Sequence, residues 1–298
     1  MSPHAGILNL AAAKKFGVRT NDPAPLASWY GKDMKSKQWD GVVHQSEWSR
    51  IYEMLMSDRT REEAKLHGFL EGEAKWGEMS ITLMEGYPAH RVEQLSVIDS
   101  PLRVRLVPFL SYQEINRRRK PEYPHVPRQL SDRVTVNGEK WLLDSGPIER
   151  SGGIRQPYAD DPTSSGQVDF PPEEVRAILE ESLQHDRPLL LHAVGDRTTE
   201  ALLNQMEATG GAKIWSQRRL RIEHGDGLMP DLIPRAKNLG VIVVEKPTHF
   251  AFGELFVRRY GCGCWAKSGH RPASLVKCLH SARLSPLGVV RREIQPGS

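Results

Sequence analysis

From residue 139 onward the chain alternates short apolar runs with segments of helical spacing, and this rhythm restricts the fold more than any other feature. The runs are "EKWLLDSGP" (139–147), "RPLLLHAVGDR" (187–197), "RLRIEHGDGL" (219–228) and "GVIVVEKPTHF" (240–250). The stretches from Pro188 to Leu191 and from Leu220 to Ile222 read as strands buried on both faces. Between them the spacing predicts helices: one opening at Pro171 with prolines and paired glutamates, one over 198–209 and one over 229–239. Strands alternating with helices of this length build parallel βαβ units, and several in series give a doubly wound sheet or a (β/α)8 barrel. No G-x-G-x-x-G follows a strand and no P-loop is present, which removes the main support for a nucleotide site.

The first half is less regular. A helical opening over 5–15 is expected, followed by loop-like sequence without a strong period up to residue 45. Asp58 or Thr60 supplies an N-cap for a helix with acids in its first turn. It leads into a strand at "MSITLME" (79–85), a helix-like stretch around 90–98 and a second strand at "LRVRLVPFL" (102–110).

Composition narrows the partners. The net charge of +4, from 41 basic and 37 acidic residues, is a small excess for 298 residues. The local run "INRRRK" (115–120) lacks the interleaved aromatics and recognisable module of a nucleic-acid face and is read as solvated, so no nucleic-acid partner is expected. The N-terminal sequence has the form of neither a signal peptide nor a membrane span, and no membrane partner is expected. Three cysteines, with Cys262 and Cys264 one residue apart, match neither a disulfide framework nor a zinc knuckle. A cytoplasmic chain with free thiols is the expectation.

The chemistry lies at the strand ends. In a β/α barrel the catalytic groups stand where strands finish. Lys140, His192 and His224 occupy three successive predicted strands, with both histidines at strand ends. Neutral imidazole is the commonest nitrogen ligand for zinc, and a catalytic site takes about three protein ligands with one open position. Two histidines alone bind weakly. A hydrogen-bonded strand-end role also accounts for each histidine taken singly, but their matched positions favour a metal.

The segments "LLLHAVGDRTTEALLNQME", "RLRIEHGDGLMPDLIPRAKNLGVIVVEKPTHF" and "KWLLDSGPIERSGGIRQPYAD" together resemble the YtcJ-like branch of the amidohydrolase superfamily. "SPHAGILNLAAAKKFGV" is similar, more weakly, to a segment that precedes the second barrel strand there. The resemblance implies an α/β, TIM-barrel-like (β/α)8 metal-dependent hydrolase acting on C–N bonds of amides and cyclic amides. It implies His192 and His224 as metal ligands, and Lys140 as a lysine that can be carbamylated to bridge two metals. The expected cofactor is one or two divalent ions, Zn2+ foremost. Asp144, Asp196, Arg197, Glu223 and Asp226 become candidates for supporting the ligands, although a strand-end or helix-cap role accounts equally well for each. His249, ending the next strand, is a candidate to touch substrate or to pack.

Two parts of the family pattern are not evident. The chain has no H-x-H pair, and no last-strand aspartate of the kind that serves as proton shuttle, so no shuttle is assigned. The expectation is a barrel truncated at both ends, its first and last strands missing. An N-terminal segment would cover 1–60, a partial barrel 61–255 and a divergent tail 256–298. The expected substrate is a small amide-like molecule. The alternative is a catalytically impaired fragment or binding protein, and open barrel edges would favour association with further copies.

Overall fold

A strand of six residues, β3 (Trp39–His44), lies between β1 (Ala5–Ile7) and β2 (Tyr30–Lys32) and pairs antiparallel with both. It belongs to the first of two compact units, 1–140 and 141–298, of a computed structural model. The structure describes residues 5–20, 28–33, 35–44, 46–55, 58–86, 94–109, 127–184, 186–246 and 253–266.

The expected helix over 5–15 is instead a strand and a shorter helix. Ala5–Ile7 is paired along Val42, Val43 and His44. The helix Leu10–Lys15 begins only where Asn9 accepts a hydrogen bond from Ala12 N at 2.8 Å, an N-cap that fixes the start. A further helix, Ser46–Leu55, seats Ile51 against Leu8 and Val43.

In the same unit β4 (Ser80–Gly86), β5 (Arg103–Phe109) and β6 (Val134–Val136) run parallel, with β5 in the middle. Along β5, Val104 and Leu106 are buried while Arg103 and Arg105 are exposed. The apolar face packs on the helix Arg59–Lys75 through Leu66 and Leu70. Burying each such leucine is worth roughly 1.5–3 kcal/mol. That outweighs the cost of about 1 kcal/mol for each of the two interior glycines, Gly68 and Gly72. Asp58 accepts from Arg61 N at 3.2 Å, the cap read from sequence. β7 (Glu139–Leu142) joins this ladder through Lys140, opposite Phe109 of β5.

The second unit holds the parallel strands β8 (Leu189–Ala193), β9 (Arg221–His224) and β10 (Ile242–Val244), with β9 central. Leu143, just past β7, donates its N–H to His192 O at 2.9 Å. All five residues of β8 are buried, as the unbroken apolar run requires. Helices Pro172–Leu183, Asp196–Ala208, Gly211–Arg218 and Ile233–Asn238 separate or flank the strands. A last helical stretch, Gly253–Ala266, is kinked at Gly261. Ile233–Asn238 is shorter than the 229–239 expected, because residues 225–232 close as turns. The fold is α/β with parallel strands, and among the described residues neither unit's strands close into a barrel. Among those residues no helix is long and apolar enough to cross a membrane.

Candidate functional site

The site begins with a conflict between strand register and side-chain direction. In the parallel pairing of β8 with β9, Ala193 faces His224 and His192 faces Glu223. Regular alternation would then send His192 and His224 to opposite faces of the sheet. His224, however, has a φ of 80°, in the left-handed region that costs a non-glycine residue roughly 1–2 kcal/mol. That rotation breaks the alternation. The two rings meet edge to face, with centroids 4.5 Å apart and an interplanar angle of 71°. Gly225 continues the turn at φ 68°, and a Cβ there would fall 2.3 Å from Val243 Cγ1, so only glycine fits.

Asp144, two residues past β7, is fully buried. Its Oδ1 accepts from Val194 N at 2.9 Å, and its Oδ2 accepts from Gly195 N at 2.8 Å and Gly153 N at 3.2 Å. The same Oδ1 lies 3.7 Å from His192 Nε2. Burial pushes the Asp144 carboxyl up to about 7, against the opposing pull of those backbone donors and the Thr198 hydroxyl. His192, His224 and Asp144 are thus brought together.

The other candidates divide by partner. Asp196 opens the helix Asp196–Ala208, and its Oδ1 accepts from Arg155 N at 2.9 Å and Arg197 N at 3.0 Å. Gly195 is the N-cap of that helix and no side chain caps it, so Asp196 instead ties Arg155 to the helix's first turn. Arg197 donates to Ser165 O at 3.3 Å and Gly166 O at 3.0 Å, tying down a loop. Glu223 pairs with Arg221 at 2.6 Å. Asp196 and Asp226 line a cavity of about 30 Å³ with Ile154, Val194 and Tyr260, room for roughly one or two water molecules. Lys140 lies within β7 rather than at its end, buried in the first unit, with Nζ 3.5 Å from Met84 Sδ. His249 lies outside the described residues.

Reading the sequence missed two carboxyls here. Glu245 directly follows β10, and burial, then the Asp226 charge, raises it to about 8. The strand-end rule that singled out His192 would have found it. Asp169 donates its N–H to Leu143 O at 2.8 Å, and burial, then the charge of Asp144, holds its carboxyl well above the ordinary range. Nothing in "GQVDF" distinguishes it from a loop aspartate preceding a helix. Among the described residues, no group of three or more His, Cys, Asp or Glu side chains is arranged to hold a metal ion.

The chain is similar to three known proteins. Uncharacterized metal-dependent hydrolases from Pyrococcus furiosus and Pyrococcus horikoshii OT3 share the fold, with TM-scores of 0.62 and 0.61 at 18% and 21% identity. Each alignment covers 87% of this chain, and 51% and 50% of the respective hydrolase. The curated Protein LONG AFTER FAR-RED 3 of Arabidopsis thaliana is 26% identical over 120 residues, 40% of this chain and 21% of that protein. The chain therefore spans about half the length of those solved structures and a fifth of the curated relative. A family model described as Amidohydrolase family matches residues 1–277, and with that span the chain belongs to the amidohydrolase family.

Proposed function

We propose that the chain carries part of a metal-dependent hydrolase centre that cleaves C–N bonds of small amides or cyclic amides by water activated at the metal. The observation that carries this reading is the meeting of the His192 and His224 rings at adjacent strand ends, against the strand register. Two imidazoles in contact are nitrogen donors of the kind a divalent ion takes, Zn2+ foremost. They would supply two positions of a coordination sphere. Lys140, by family likeness, is the proposed third, as its carbamate. A bound divalent ion lowers the pKa of water toward about 7 and polarises a carbonyl.

The chain's own groups supply the rest. His192 and His224 orient the centre, and Ile154 and Val194 give the adjoining cavity its apolar wall. Glu245, still protonated up to about pH 8 at the end of β10, is proposed to give its proton to the leaving nitrogen. A cytoplasmic setting and association with further copies belong to the same proposal, as does a partial barrel over 61–255.

A screen of simple amides and cyclic amides against zinc-supplemented protein tests the reading. Turnover that disappears in His192→Ala supports it, and turnover equal in that variant and in the native chain removes it. One observation favours a second reading, a catalytically impaired or purely binding derivative: among the described residues no group of three or more His, Cys, Asp or Glu side chains is arranged to hold a metal ion. Metal binding without turnover on any amide would favour that reading.

A further inference from the structure

We propose that Asp144 is a positioning residue, which holds His192 against His224 and, through the same carboxylate, seats the 151–158 segment that walls the cavity. The role rests on the metal-centre reading above.

A fully buried carboxylate is expensive unless donors surround it. Asp144 takes three backbone N–H groups from two segments, Val194 and Gly195 beyond β8 and Gly153 in the loop. These segments are in direct backbone contact. A Cβ on Gly195 would fall 1.9 Å from Gly153 O, one on Gly166 2.0 Å from Gly152 O, and one on Gly227 2.3 Å from Gly195 C. No side chain fits between them, and the Asp144 carboxylate bridges the seam.

The seam extends to both functional features. On one side, the Oδ1 that accepts from Val194 N is the oxygen 3.7 Å from His192 Nε2. On the other, Gly153 O accepts from Arg197 N at 3.1 Å and Thr198 N at 3.2 Å, anchoring the loop to the helix Asp196–Ala208. The Tyr158 hydroxyl closes the loop on Gly152 O at 2.8 Å. Ile154, Gln156 and Pro157, carried between those anchors, line the cavity. A shift of the carboxylate therefore moves the histidine and the cavity wall together.

Asp144→Asn tests this, because an amide places an N–H₂ against backbone donors where an acceptor oxygen stood. Ring-nitrogen NMR spectra of metal-free native and variant protein, and Co2+ titration of both, are the readouts. The expected result is native-like circular dichroism, displaced His192 ring resonances with those of His44 unchanged, and Co2+ affinity lower by about tenfold or more. Native His192 resonances and native Co2+ affinity in the variant would overturn the role. If the variant fails to fold, amide hydrogen exchange in the native chain decides. Gly153, Val194 and Gly195 are expected to be protected to the same degree, and rapid exchange at Gly153 alone would overturn the proposal. A native chain that binds no Co2+, with His192 resonances still displaced in Asp144→Asn, would leave the positioning role standing and remove the metal reading.

Discussion

His192 and His224 touch edge to face, with ring centroids 4.5 Å apart, although the register places Ala193 rather than His192 opposite His224. The contact exists because His224 leaves its strand with a φ of 80°. Strained backbone of this kind persists where the surroundings over-determine it, and it concentrates at functional sites.

That strain is measurable. Asparagine tolerates the left-handed region and a β-branched residue does not. His224→Val should therefore lose more stability than His224→Asn, by at least about 1 kcal/mol in urea unfolding. Equal midpoints and slopes for the two variants would mean that the left-handed turn is absent.

The buried carboxyls set a pH dependence. Asp144 and Glu245 have folded values of about 7 and about 8, raised by burial above their ordinary 3.8 and 4.5, and Asp169 is raised in the same direction. The folded second unit thus holds protons that the unfolded chain has released. The stability these three groups contribute is fully present below about pH 4 and is lost as pH rises through 7 and 8. His44 works the other way in the first unit: burial lowers it from 6.5 to about 4, so its contribution is present above 6.5 and lost as pH falls toward 4. Hydrogen exchange followed from pH 5 to 8 should show protection decreasing in β8 and β9, after correction for intrinsic exchange rates. Glu245→Gln should flatten the upper part of that decrease, and an unchanged profile in the variant would exclude Glu245 as a source.

Packing should outweigh surface charge in the second unit. Leu191 in β8 is fully buried, and Leu191→Ala should cost about 2–5 kcal/mol. Arg155 reaches Glu200 at 3.0 Å and Asp231 at 2.8 Å, but all three side chains are partly exposed. Arg155→Ala should cost no more than about 1 kcal/mol from those ion pairs. Denaturant melts of the two variants check the order, and comparable losses would show that the Arg155 network carries more than screened surface charge.

The parallel strands were legible because short runs such as "LLL" before His192 are apolar without a break, as a strand covered on both faces requires. The helix at Pro172–Leu183 was legible from its prolines and glutamates. Ala5–Ile7 was not, because three small and apolar residues become a strand only through pairing with β3, thirty-five or more residues away. At the site, the histidines stood out by position and residue type. The register conflict that joins them did not, since a positive φ at a histidine leaves no mark in composition beyond the glycine that follows. Asp144 was marked as a supporting residue, but its three backbone donors come from segments that no spacing rule connects.

Elemental analysis of purified, dialysed protein, run beside a His192→Ala/His224→Ala double variant, decides whether the paired histidines hold a metal. Zinc is expected to be retained at a stoichiometric level by the native chain and lost by a folded double variant. Native protein that retains no more metal than the variant would contradict it, and the paired histidines would then be a structural contact rather than a metal centre.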